Sequence, residues 1–219
     1  MPFTVEEFLR VFARYNQAVW PAQLLLIGAG LGVVILAIIG RTLSRRIALA
    51  LLAALWLWAA IVYHLAFFSR ISPAASFFAA LFAVNGCWLL WISTRGQIEM
   101  QPPSKSRIVV AAVVVIYALV LYPAIGYLAG LRYPATPTFG VPCPTTIFTF
   151  GVLMLLPSVP RITFVIPVIW ALIGTVAAFQ FNVPQDYGLL VAAALALTIL
   201  RASDHKATVG PVAPTTASA

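Results

Sequence analysis

The chain has 219 residues, 63% of them hydrophobic and only 8% charged, and its mean hydropathy is +1.03. A soluble domain cannot hide that much apolar side chain behind so little charge, so an ordinary water-soluble fold is excluded. The net charge is +8, from 13 Lys and Arg against five Asp and Glu. No basic patch with interleaved aromatic residues lies outside the loops, so no nucleic-acid partner is expected.

The first element, residues 1–19, reads as an amphipathic helix lying on the membrane surface. Thr4 is placed to cap it, with Glu6 and Glu7 in its first turn, where the helix dipole favours acids. Val5, Phe8, Phe12, Tyr15 and Val19 recur at helical spacing, with Glu6, Glu7, Arg10 and Arg14 opposite. The segment lacks the basic start, unbroken apolar centre and cleavage site of a signal peptide.

Seven spans are expected across residues 20–201. Crossing a hydrocarbon core of about 30 Å takes roughly 20 apolar residues in helix. Residues 21–40, 47–68, 74–92, 108–131 and 162–181 meet that length outright. Residues 145–156 and 188–200 reach it only with their flanks, as 139–159 and 184–200. The runs lack the alternation of an outer-membrane barrel. The expected fold is therefore all-α, a polytopic helix bundle with seven transmembrane helices and one interfacial helix. Residues 202–219 are small, polar and Pro-containing, and read as a disordered cytoplasmic tail.

Orientation follows from the cations. Arg41, Arg45, Arg46, Arg95, Lys105, Arg107, Arg161, Arg201 and Lys206 fall on one side of seven spans, and Arg10, Arg14, Arg70 and Arg132 on the other. Basic loops stay in the cytoplasm, so the N-terminus is expected outside and the C-terminus inside. A weak internal similarity relates spans one to three with five to seven. Trp20-Pro21-Ala22-Gln23 matches Cys143-Pro144-Thr145-Thr146, and Trp58-Ala59-Ala60-Ile61 matches Trp170-Ala171-Leu172-Ile173. Such a three-plus-one-plus-three parallel repeat is a transporter plan with its site between the halves. Chance similarity within the narrow alphabet of membrane helices is the plainer account of so few matches.

Polar groups in hydrocarbon need partners, and are functional candidates for that reason. His64, beside Tyr63, lies near the outer end of span two. Cys143, Thr145 and Thr146 open span five, Asn16 comes from the surface helix, and Gln180 and Asp186 come from the last outer connection. Asn85 lies deeper, in span three; an interhelical hydrogen bond is the plainer account of it, contact with a substrate the sharper one. A polar site for a small solute or ion is expected where these segments converge. His64 with Cys143 would suit a soft metal, but no paired ligand motif accompanies them. A histidine bonded to a backbone carbonyl explains His64 more simply, and helix capping explains Thr145 and Thr146. Cys87 reads as a buried small hydrophobe, and its depth differs too much from that of Cys143 for a disulfide. The lysines, Lys105 and Lys206, both fall outside the spans, which excludes a retinal Schiff base. No phosphate loop, haem-attachment motif or paired intramembrane carboxylates occur, so no cofactor is expected.

Several stretches resemble an uncharacterised family of bacterial membrane proteins, domain of unknown function 6064. They are Tyr15-Asn16-Gln17-Ala18-Val19-Trp20-Pro21-Ala22-Gln23, Val62-Tyr63-His64 with Ile71-Ser72-Pro73-Ala74-Ala75, and Pro142-Cys143-Pro144-Thr145-Thr146-Ile147-Phe148-Thr149-Phe150-Gly151. The resemblance runs from residue 1 to about 200. It implies a small multi-span inner-membrane protein in which Asn16, His64 and Cys143 belong to shared motifs, and it carries no activity. The leading expectation is a non-enzymatic transporter or permease whose partners are the lipid bilayer and a small solute or ion. A non-catalytic membrane subunit or sensor, and a metal- or thiol-handling protein using His64 and Cys143, are the alternatives. Assembly into oligomers is left open by the sequence.

Overall fold

The computed structural model describes residues 3–95, 102–156 and 159–208, with side chains described as far as Arg201. The fold is all-α among these residues. In chain order the helices are α1 (Val5–Val19), α2 (Ala22–Ile39), α3 (Thr42–Trp58), α4 (Ala75–Arg95), α5 (Lys105–Ile116), α6 (Tyr122–Leu128), α7 (Pro142–Leu155), α8 (Val165–Phe181) and α9 (Gly188–Thr208). A π-helical stretch, Ala59–Phe67, and one 3₁₀ turn carry α3 on to Arg70. A second π-helical stretch, Tyr117–Leu121, joins α5 to α6. Pro123 follows it directly; its missing N–H removes one helical bond to the preceding turn.

Among the described residues, five helical segments are long and apolar enough to cross a membrane: Ala22–Ile39, Thr42–Arg70, Ala75–Arg95, Lys105–Leu128 and Arg161–Phe181. Seven were expected from the sequence. The other two lie on α7, which is short, and on α9, which runs 21 residues from Gly188 to Thr208. At 14 residues, α7 extends only about 21 Å along its axis, well under the ~30 Å of a hydrocarbon core. Its composition reflects a different position. Nearly every α7 side chain from Pro142 to Leu155 is buried, because the helix sits inside the bundle, packed by α5, α8 and α9 with α2 and α3 also in contact. A helix apolar all round belongs in such a place.

Close packing of α7 requires a small residue. A Cβ on Gly151 would stand 2.7 Å from Val115 Cγ2 and 3.2 Å from the Ala111 carbonyl oxygen, so glycine lets α5 approach. The outer surface of the bundle is apolar, with Leu25 76% and Phe179 79% exposed, as suits contact with lipid. Cys87 is on this exposed surface, not buried as expected, and both cysteines are free. The tail was expected from Ala202, but α9 keeps its helical backbone to Thr208, continuous with the apolar turns before it. The rest of that tail lies outside the described residues.

The N-terminal helix forms where the sequence places it. Thr4 Oγ1 accepts from the Glu7 N–H at 3.2 Å, and Glu7 Oε2 accepts from the Thr4 N–H at 2.8 Å, completing a capping box. Its environment differs from expectation. Phe8, Val11, Phe12 and Tyr15 are buried while Val5 is 43% exposed, so the inward face is rotated from the expected stripe. Protein covers this face. Phe8 stacks on Phe181 with ring centroids 4.4 Å apart, Phe12 stacks on Tyr63 at 5.6 Å, and Trp58 Nε1 donates to Tyr15 Oη at 2.8 Å. The helix is thus docked on one end of the bundle.

Candidate functional site

Asn16 fastens α1 to the chain between α6 and α7. Its Nδ2 donates to the carbonyls of Pro134 and Thr136 at 2.7 and 2.8 Å. Its Oδ1 accepts from Gln23 Nε2 at 2.7 Å and Thr138 Oγ1 at 2.8 Å. Every hydrogen-bonding direction of the amide is used by protein, and Asn16 is not on the cavity wall described next.

Beneath α1 lies a cavity of about 450 Å³, within the size range of small-molecule sites. Its walls come from α1, the end of the α3 helix, the start of α4, the first turn of α7, the second half of α8 and the turn before α9. Phe8, Phe12, Phe68, Phe78, Trp170 and Phe181 make most of it aromatic. Tyr63, His64, Cys143 and Asp186 also line it, so four of the residues singled out in the sequence share one enclosure. The first two stand on the π-helical stretch Ala59–Phe67. Its wider turns carry more residues than an α-helix would, and such segments are frequent at functional sites.

His64 is 1% exposed, and neither ring nitrogen has a hydrogen-bond partner among the described residues. The backbone-carbonyl bond expected for it is therefore absent. Its imidazole lies edge-on to Phe82 and Trp170, with centroids 5.0 and 5.3 Å away. A buried polar group left in this condition costs about 1–3 kcal/mol. Asp186 is 4% exposed, and accepts a hydrogen bond from the Tyr122 hydroxyl. The Cys143 thiol stands beside the same carboxylate.

The remaining candidates lie elsewhere. Thr145 and Thr146 were expected to cap α7, but the helix starts at Pro142 and both sit inside its first turns. Thr146 Oγ1 donates back to the Pro142 carbonyl at 2.9 Å, as a threonine within a helix commonly does. Neither lines the cavity. Asn85 is buried on α4, away from the cavity, with Nδ2 unpartnered among the described residues. Gln180 is exposed at the end of α8. No group of three His, Cys, Asp or Glu able to hold a metal occurs among the described residues, so the pairing of His64 with Cys143 lacks further ligands.

Sequence reasoning missed Tyr122, and Trp170, which it used only for the repeat. It also missed Gln185, fully buried, with neither side-chain amide atom partnered among the described residues. A signal was available for the last: Gln185-Asp186 is a polar pair flanked by apolar chain on both sides.

No curated protein and no solved structure matches the chain. One family model does, over residues 5–210, and it is described as a family of unknown function, DUF6064. That match takes in all of α1 through α9, the cavity and each of its polar residues, so the protein belongs to the DUF6064 family.

Proposed function

We propose that the protein is a small permease-like membrane protein that admits a small molecule to the cavity beneath α1. The observation that carries this reading is the enclosure itself, which joins an aromatic wall to a buried imidazole, a buried carboxylate and a thiol. Convergent polar groups in an otherwise apolar pocket are the common form of a small-molecule site. In this reading α7 and α9 complete a seven-helix membrane domain. The nine-to-four split of basic residues supports an N-terminus outside and, with it, a cavity in the outer half of the bacterial inner membrane. The three-plus-one-plus-three plan is part of it, with α2–α4 and α7–α9 on either side of the α5–α6 helix in sequence.

Cys143 is a native reporter for this proposal. It lines the cavity, and Cys87, which faces outward, can be removed as Cys87→Ser without touching the cavity wall. In sealed vesicles of defined orientation, a membrane-impermeant thiosulfonate should reach Cys143 from either face, since a permease opens its site to each side in turn. Labelling from one face only, or from neither, would replace transport with a binding or sensing role.

A further inference from the structure

We infer that the cavity beneath α1 takes a lipophilic organic amine in its cationic form. This rests on the reading of that cavity as a ligand site, and specifies the chemistry of its occupant. Four observations point the same way.

First, the wall is aromatic on several sides, with Phe8, Phe12, Tyr63, Phe68, Trp170 and Phe181 contributed by α1, the π-helical stretch, the 3₁₀ turn after it and α8. Ring faces attract cations and accept apolar bodies, and offer nothing to an anion. Second, Asp186 brings a carboxylate to the same wall while 96% shielded from solvent, the complement of its 4% exposure. Its recorded neighbours are the Tyr122 hydroxyl and the Cys143 thiol, neither a cation, and the ion pair found among the described residues is Arg10–Glu6 on the far face of α1. A buried carboxylate without a cationic protein partner either takes up a proton or is matched by a cationic ligand, and beside a cavity the second route is open. Third, His64 lines the same space, with both ring nitrogens covered by surrounding protein and unpartnered among the described residues. A neutral imidazole offers one acceptor nitrogen. A protonated amine that reaches the Asp186 carboxylate has further N–H groups to offer that nitrogen if the ring turns toward it. A quaternary ammonium would satisfy the charge and leave His64 unpaired.

The fourth observation concerns entry. Pro73 and Ala74 in the turn before α4, and Val176 on α8, line the cavity and are also exposed on the bundle surface, Val176 by 57%. These residues carry no charge, and Val176 lies on a helix apolar enough to span a membrane. A ligand with an apolar body can enter between them directly from the lipid, head group last.

The test uses one apolar body with three heads: phenylbutylamine, phenylbutanol and phenylbutyrate, each titrated into the full-length protein in lipid nanodiscs and corrected with empty discs. Quenching of Trp170 reads occupancy, because that indole is part of the wall. The amine should bind roughly tenfold or more tightly than the alcohol, and the acid should not bind measurably. Asp186→Asn keeps an acceptor for Tyr122 and removes the charge; it should bring the amine to the level of the alcohol and leave alcohol binding unchanged. Equal binding of amine and alcohol by the native protein, preference for the acid, or no binding of any probe overturns the inference, whether or not the variant folds. So does a preference for the amine that survives Asp186→Asn. The transport reading is judged separately. If Cys143 is labelled from both faces while the amine shows no preference, the cation inference falls and transport stands. If the amine binds through Asp186 while Cys143 is labelled from one face, the cation inference stands and transport falls.

Discussion

Replacing Asn16 by alanine should release α1 without touching the cavity wall. The side chain makes four hydrogen bonds, two donated to the Pro134 and Thr136 carbonyls and two accepted from Gln23 and Thr138. Each such bond contributes about 0.5–1.5 kcal/mol net, and a buried donor left unpaired costs about 1–3. Partial recovery is available, because Gln23 Nε2 already lies 3.5 Å from Thr138 Oγ1. The sum after that recovery is about 2–4 kcal/mol. The loss falls on one joint, between α1 and the segment before α7, so it should appear as local opening. At about 1.4 kcal/mol per factor of ten, amide exchange in α1 should accelerate by at least about 30-fold. Hydrogen exchange read by mass spectrometry over residues 5–20 and 133–141, in nanodiscs, measures this, with α3 and α8 as internal references. Protection of α1 unchanged in Asn16→Ala would refute the account, as would equal loss in α3 and α8. An Asn16 that served a ligand instead would alter binding and leave exchange in the free protein alone.

Other outcomes follow from the same geometry. Single cysteines at Arg41 and Arg132, in a background with Cys87 and Cys143 replaced by serine, should be labelled from opposite sides of the membrane; labelling of both from one side would contradict the orientation read from the basic residues. Gly151→Val should lower the melting temperature in detergent, because the new Cβ meets Val115 and the Ala111 carbonyl and overpacking costs about 1–3 kcal/mol. Gly28→Val, with nothing within 4 Å of its Cβ, is the matched control, and an equal drop in both would place the effect outside packing. Bonds from the Thr4 backbone N–H and hydroxyl hold the Glu7 carboxyl below its ordinary value. Its contribution to the first turn of α1 is therefore full above the unfolded carboxylate value of ~4.3, and is lost as pH falls through the lower folded value. Protection factors at residues 5–8, which correct for the intrinsic slowing of exchange in acid, should fall on acidification in the native chain and show no such fall in Glu7→Ala.

The parts of the fold that could be read from the sequence are those governed by local chemistry. Thr4 followed by Glu7 is a complete start signal, and the capping box forms. Gly40 ends α2 at φ 72°, a conformation that costs glycine little. The five long spans needed only a count of consecutive apolar residues. Composition cannot say which apolar face meets lipid and which meets protein, since both are hydrocarbon. The stretch from Pro142 to Leu155 accordingly looked like a short span and is an interior helix, and Cys87 looked buried and faces outward. The same ambiguity turned α1 from a helix resting on lipid into one docked on protein. Its aromatic side chains satisfy either surface, and only the rings of Phe181, Tyr63 and Phe68 decide between them.

The site was legible to the extent that depth along a helix predicts proximity. Tyr63, His64, Cys143 and Asp186 were brought together by counting residues from the ends of their spans, and they line one cavity. The count fails for side chains whose direction depends on rotation about the helix axis. Thr145 and Thr146 follow Cys143 by two and three residues and face away from the cavity, although all three share a level. Asn16 shares that level too, and its bonds are taken by the loop from Pro134 to Thr138. The distinction that matters is therefore saturation. Asn16 has all its partners within the protein, whereas His64 has none among the described residues. A polar side chain already satisfied holds the fold together, and one left open beside a cavity is where a ligand gains most by binding. In the proposed reading, His64 and Asp186 are the polar groups of the cavity wall that a ligand would meet, with Tyr122 donating to the carboxylate and α1 lying over the cavity.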